Sequence, residues 1–179
     1  AIQHPRDLAP VGVNLGAVTY HFGTKERLYL AVMALSTRPL LERIAAVGAE
    51  PVDALDRIEA VLRGAFAHLE EFREAGSLML QELSRNRSLP TPMSSVLENN
   101  IKLIAGLIRE GQESGSIIAG DPTLLALSVV AQPLYYTLVR DPLREVVGLD
   151  RGDPETQSRV VEHVVTFVHR GLTADRRIP

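Results

Sequence analysis

Leu55, Ile58, Leu62, Phe66, Leu69 and Phe72 follow one another at steps of three or four residues. That spacing lays one continuous apolar stripe along a helix for about five turns, a pattern a strand cannot use because its side chains alternate with period two. The same spacing returns in Leu97, Ile101, Ile104 and Ile108, with Leu103 and Leu107 beside them, and again in Val160, Val161, Val164, Val165 and Val168. No pair of alternating runs joined by a turn suggests a hairpin, so the fold class is all-α.

Breakers delimit these stripes. Asn14 and Thr24 are N-cap residues for two short N-terminal helices, the second carrying Leu28, Val32 and Leu35. Pro39 falls inside that second pattern and is expected to kink or split it. Pro51 opens the helix of the long stripe. Ser77–Ser84 reads as a shorter helix, Arg85–Pro92 as a loop, and Gly111 and Gly115 as the end of the next helix. Asp121-Pro122 and Asp153-Pro154 repeat one start signal, a capping carboxylate followed by proline at the first helical position. The segment after Pro122, TLLALSVVAQPLYYTLV, is apolar on nearly every side and is expected to be buried on nearly every side. These limits divide the chain into a module over residues 1–47 and a helical bundle over 48–179.

Composition narrows the function classes. Hydrophobic residues make up 45% and charged residues 23% of 179, enough apolar surface for a packed core. A net charge of −3 excludes a generic polyanion binder, so any nucleic-acid contact must come from a local patch. Cys is absent, which removes thiolate chemistry and disulfides and fits a reducing cytoplasm. No apolar run approaches the roughly 18 residues of a membrane span. No phosphate loop, nucleophile elbow or metal motif occurs, and His163 and His169 are too far out of phase to share a helix face. No catalytic set, metal or cofactor is expected.

The informative stretch is GVNLGAVTYHFGTKERL, Gly12 to Leu28. Gly12 permits a tight turn, Asn14 caps a helix of barely two turns, and Gly23-Thr24 stops it and starts another. A short capped helix after a tight turn is the second half of a helix-turn-helix. Leu15, Gly16 and Ala17 are small or apolar enough to approach base edges and a thymine methyl. Tyr20, His21 and Lys25 carry donors suited to phosphate oxygens.

Gly12–Leu28 resembles the helix-turn-helix signature of the tetracycline-repressor (TetR) family almost without a gap. The resemblance implies that Asn14, Tyr20, His21 and Lys25 touch the DNA backbone, that Leu15, Gly16, Ala17 and Thr19 face the major groove, and that Val13, Val18 and Phe22 face the module's own core. It implies a repressor of double-stranded operator DNA, released by a small molecule, in which the last two long helices pair with those of a second subunit. The region Glu110–Tyr136 is similar to one of the family's C-terminal subgroups. The family places two helices ahead of the recognition helix, and only eleven residues precede Gly12 here, so the complete protein is expected to extend further at this end. That short N-terminus also suggests an alternative, a helical dimeric ligand-binding or interaction protein without a complete DNA-reading module. A small α-helical enzyme is the remaining reading, disfavoured by the lack of clustered catalytic groups.

Two further sites are expected. Phe66, Leu69, Phe72, Met79, Leu103, Leu107, Gln132 and Tyr136 are candidates to wall a mostly apolar effector cavity among three helices. Pro133 frees the carbonyl of Val129 beside Gln132, a polar anchor for such a ligand. Leu127, Leu134, Val160, Val164 and Val168 are candidates for a homodimer seam, because a monomer could not cover so apolar a helix.

Overall fold

The computed structural model describes residues 52–72 and 91–174 continuously, together with individual positions between Tyr20 and Ala46. Within the continuous stretches the chain forms five helices: α1 Ala54–Glu71, α2 Thr91–Ser114, α3 Pro122–Leu138, α4 Arg140–Val147 and α5 Pro154–Leu172. Every described position from Arg27 to Ala46, Pro39 among them, is helical as well. The described residues contain no strand, only one isolated bridge between Ile117 and Thr173. The all-α expectation holds.

The capping residues act as their types require. Asp53 Oδ1 accepts the Leu55 amide at 2.9 Å, so α1 starts at Ala54, three residues after Pro51. Asp121 Oδ1 accepts from the amides of Thr123 and Leu124 at 2.7 and 3.2 Å, and Asp153 Oδ2 accepts from Thr156 at 2.8 Å. Each satisfies helix-start donors that have no partner within the helix. Thr91 and Pro92, read as loop, already lie in α2, where proline is tolerated because the first amides lack intrahelical acceptors. The segment Ser77–Ser84 lies outside the described residues.

α2 ends at Gly115, whose φ of +76° only glycine adopts readily. Gly111 does something else. It lies inside α2, and Ile117 folds back onto the space where a Cβ would stand. Its carbonyl accepts the amides of Ser116 and Ile117, and the chain then pairs with the end of α5 through Ile118 N to Leu172 O and Ala174 N to Ser116 O. This clasp ties the α2–α3 turn to the C-terminal end of α5.

α1 packs against α2, α3 and α5, and α2 runs along α3. The shared core contains Ile58, Leu62 and Phe66 of α1, Ile104 and Ile108 of α2, Ala126 and Val129 of α3, and Val164 and Val165 of α5. The Arg57–Glu110 pair joins α1 to α2, and Arg63 forks onto both oxygens of Glu162 at 2.5 and 2.9 Å to join α1 to α5. α3 departs from its expected burial. Only Ala126, Val129 and Pro133 are buried, while Leu124, Leu127 and Tyr135 are exposed, because α1 and α2 cover a single side of it. A bend of 70° then separates α3 from α4. No single helix among the described residues is long and apolar enough to cross a membrane.

Candidate functional site

Of the expected DNA-reading residues, Asn14, Leu15, Gly16, Ala17, Thr19, His21 and Lys25 lie outside the described residues. Tyr20 is helical and 86% exposed, with its ring presented outward. Gly23 takes φ +72°, ending that helix in the left-handed region. Thr24 Oγ1 then accepts the Arg27 amide at 3.1 Å and its carbonyl accepts the Leu28 amide at 3.1 Å, which caps the following helix. A Tyr-bearing helix, a glycine stop and a threonine cap therefore follow one another along the chain. Phe22, expected to face inward, is 37% exposed.

The residues expected to wall one apolar cavity are placed in different surroundings. Phe66 and Leu107 are packed into the core, and Leu103 lies half-buried against it. The Phe72 ring rests on His68 with centroids 4.8 Å apart. Gln132 turns its amide back to the carbonyl of Ser128 on its own helix rather than toward a ligand beside Pro133. Met79 lies outside the described residues. Leu69 reaches the wall of an open space, a cleft of about 460 Å³ where the ends of α1 and α3 meet α4. A second, mostly apolar cleft of about 530 Å³ runs along Leu97, Ile101 and Ala105 of α2 toward Arg109 and Thr123.

The side chains that organise the first cleft went unrecognised in the sequence. Arg151 is buried, although its loop, Leu149-Asp150-Arg151-Gly152-Asp153, is mostly polar. Its guanidinium lies over the Phe66 ring at 5.6 Å, donates from Nη1 to the Tyr136 carbonyl at 2.6 Å and from Nε to Gln157 at 2.9 Å. Nη2 faces Glu70 at 3.8 Å. Glu70 is half-buried between Arg151 and Arg140. Half-buried Tyr136 thus contributes its backbone rather than its ring to this cluster. Burying a guanidinium requires such partners, because an unpaired charge is strongly disfavoured away from water.

The expected seam residues divide in two. Val160, Val164 and Val168 face the chain's own core, Val164 with 1% of its surface exposed, so they are not available to a second subunit. Leu127 is exposed and Leu134 half-buried. The exposed side chains include Leu124, Leu127 and Tyr135 on α3 and, on α5, His163 and Phe167, whose rings stack at 6.5 Å. A helix with one valine stripe presents it to whichever neighbour comes first, and here that neighbour is α1.

Comparison with known proteins places this arrangement. The family profile described as tetracyclin repressor-like, C-terminal domain, matches residues 51–168. No curated protein matches the chain significantly. Among solved structures, a TetR/AcrR-family transcriptional regulator from Thermobifida fusca is 20% identical, with 90% of this chain and 82% of that one covered and a TM-score of 0.67. The ketosteroid transcriptional regulator KstR2 of Mycobacterium tuberculosis is 18% identical, with 93% and 82% covered and a TM-score of 0.73. The regulator AibR, solved with isovaleryl coenzyme A and operator DNA, is 13% identical, with 85% and 78% covered and a TM-score of 0.63. With the profile spanning α1 to α5 and these folds superimposing over most of their length, the chain belongs to the TetR family of transcriptional regulators.

Proposed function

We propose that this protein is a cytoplasmic, homodimeric repressor that binds double-stranded operator DNA through residues 1–47 and releases it when a small molecule occupies the domain of residues 48–179. The observation that carries the DNA-reading half is the turn at Gly23-Thr24, with Tyr20 exposed on the preceding helix and Thr24 capping the next. The outward apolar face supports the dimer. Leu124 is 63%, Tyr135 56% and Phe167 59% exposed, large apolar side chains that a second subunit would cover. Two subunits paired on that face set two DNA-reading modules at a fixed separation, as half-sites about one helical turn apart require. An effector that binds the non-reading separation better drains the DNA-bound population. That AibR was crystallised with both an acyl-coenzyme A and its operator supports a two-ligand reading of this fold.

A gel-shift selection from genomic fragments tests the proposal. The wild type is expected to retain a discrete set of fragments. Tyr20→Ala and Lys25→Ala should weaken all of them alike, Lys25→Ala also lowering the salt slope by about one ion. Changes at Leu15, Ala17 or Thr19 should alter which fragments are kept. A protein that retains no fragment above non-specific background refutes the reading.

A further inference from the structure

The cleft at the ends of α1 and α3 is built for a charged ligand rather than an apolar one. Leu69 and Leu138 give it a small apolar floor, and Thr137, Arg140 and Arg144 stand along its walls. We propose that it holds the carboxylate or phosphate group of a small organic anion, gripped by Arg140, Arg144 and Thr137. This rests on the regulator reading above and names a chemical class for its effector.

The unmet hydrogen-bonding capacity of the cleft points to an anion. Thr137 Oγ1 is buried with no partner, although a helical threonine ordinarily returns its hydroxyl to a carbonyl one turn back. The Arg144 side chain, exposed and lining the cleft, makes no ion pair or hydrogen bond among the described residues, which leaves its five donors to solvent or a ligand. Arg140 has only a slack contact, Nη1 to Glu70 Oε1 at 3.4 Å, against about 2.7–2.9 Å for a well-formed charge-assisted bond. The acidic residues do not close these donors. Glu70 is divided between Arg140 and Arg151, Asp150 Oδ1 accepts the Gly152 amide at 2.8 Å, and Asp141 is exposed, so water screens it. An entering carboxylate or phosphate supplies acceptors to Arg144, to the loosely held Arg140 and to Thr137, and its apolar portion covers Leu69 and Leu138.

Occupancy has a route outward. An anion that draws Arg140 away loosens its contact with Glu70, which also faces Arg151, and Arg151 holds the Tyr136 carbonyl of α3 and Gln157 of α5. Those two helices carry the exposed apolar face.

The test is isothermal titration calorimetry of the full chain with inorganic phosphate and, separately, hexanoate, ionic strength being held constant with sodium chloride. At least one probe should give saturable heat. Arg144→Gln, a change at an exposed position, should weaken it about ten-fold or more, and Thr137→Val several-fold. Saturation with phosphate alone identifies a phosphate ligand, and with hexanoate alone a carboxylate. No saturable heat with either probe, or equal affinity in both variants, overturns the subsite. Gel shifts on the same samples separate the two claims: intact operator binding without anion binding counts against the subsite only, and the converse against the regulator reading only.

Discussion

Gly111→Ala should destabilise the protein, whereas Gly64→Ala and Gly106→Ala should stabilise it. All three glycines lie inside helices, so alanine brings the same gain in helix propensity, about 1 kcal/mol at each. Their surroundings differ. A Cβ at Gly64 or Gly106 meets nothing within 4 Å, while at Gly111 it meets Ile117 Cδ1 at 2.4 Å, Cγ1 at 2.5 Å and Cβ at 3.0 Å. Rotating the Ile117 side chain relieves the first two contacts and not the third. Ile117 cannot retreat bodily, because its amide is bonded to the Gly111 carbonyl at 3.0 Å and the next amide to Leu172 at 2.9 Å. Overpacking of this kind costs about 1–3 kcal/mol. Subtracting the response at Gly64 and Gly106 cancels the propensity gain and leaves the clash, a relative loss of about 1–3 kcal/mol. Urea unfolding followed by far-ultraviolet circular dichroism, at one fixed protein concentration, should show it as a midpoint difference of about 1 M. In an Ile117→Ala background, itself about 2–5 kcal/mol less stable, most of the penalty should vanish, since only the 3.0 Å contact remains. Gly111→Ala variants as stable as the other two, or equally penalised in both backgrounds, would refute the packing argument.

Leu127→Arg and Tyr135→Arg should give folded monomers by light scattering, whereas Val164→Arg should abolish cooperative unfolding, because it forces a charge into the core; a monomeric wild type would sink the dimer proposal. Phe66→Ala should cost about 3–5 kcal/mol in chemical denaturation, through the cavity it opens and the loss of the ring beneath Arg151. The Asp153 carboxyl is held below its ordinary value of 3.8, first by the Thr156 backbone amide, so its contribution is complete above that value and is lost as pH falls through the lower folded one. Asp153→Asn, which keeps an acceptor and does not titrate, should therefore flatten the acid limb of stability below about pH 4, and an unchanged limb would contradict the capping role.

The sequence by itself determined the long helices and several of their limits, though not the short helix Arg140–Val147. A capping carboxylate followed by proline, a glycine at a helix end, and apolar steps of three and four each act within a few residues, so Asp121-Pro122, Asp153-Pro154 and Gly115 mark helix ends legibly in the chain alone. The helix-turn-helix signature is legible for the same reason, since turn, cap and aromatic residues all lie between Gly12 and Leu28. Only the tertiary structure decided which face each helix buries. The α5 valines looked like a seam and instead complete the core under α1, while α3, apolar all round, is covered on one side only. Gly111 looked like a helix end and is a point of close approach to Ile117. Arg151, which no local pattern singles out, lies at the centre of the polar cluster beside the cleft. Burial depends on neighbours distant in the chain: α1 meets α5 across roughly a hundred residues, and Glu70 meets Arg151 across about eighty. A local pattern states that a face is apolar or charged, and only the packed fold states what that face meets.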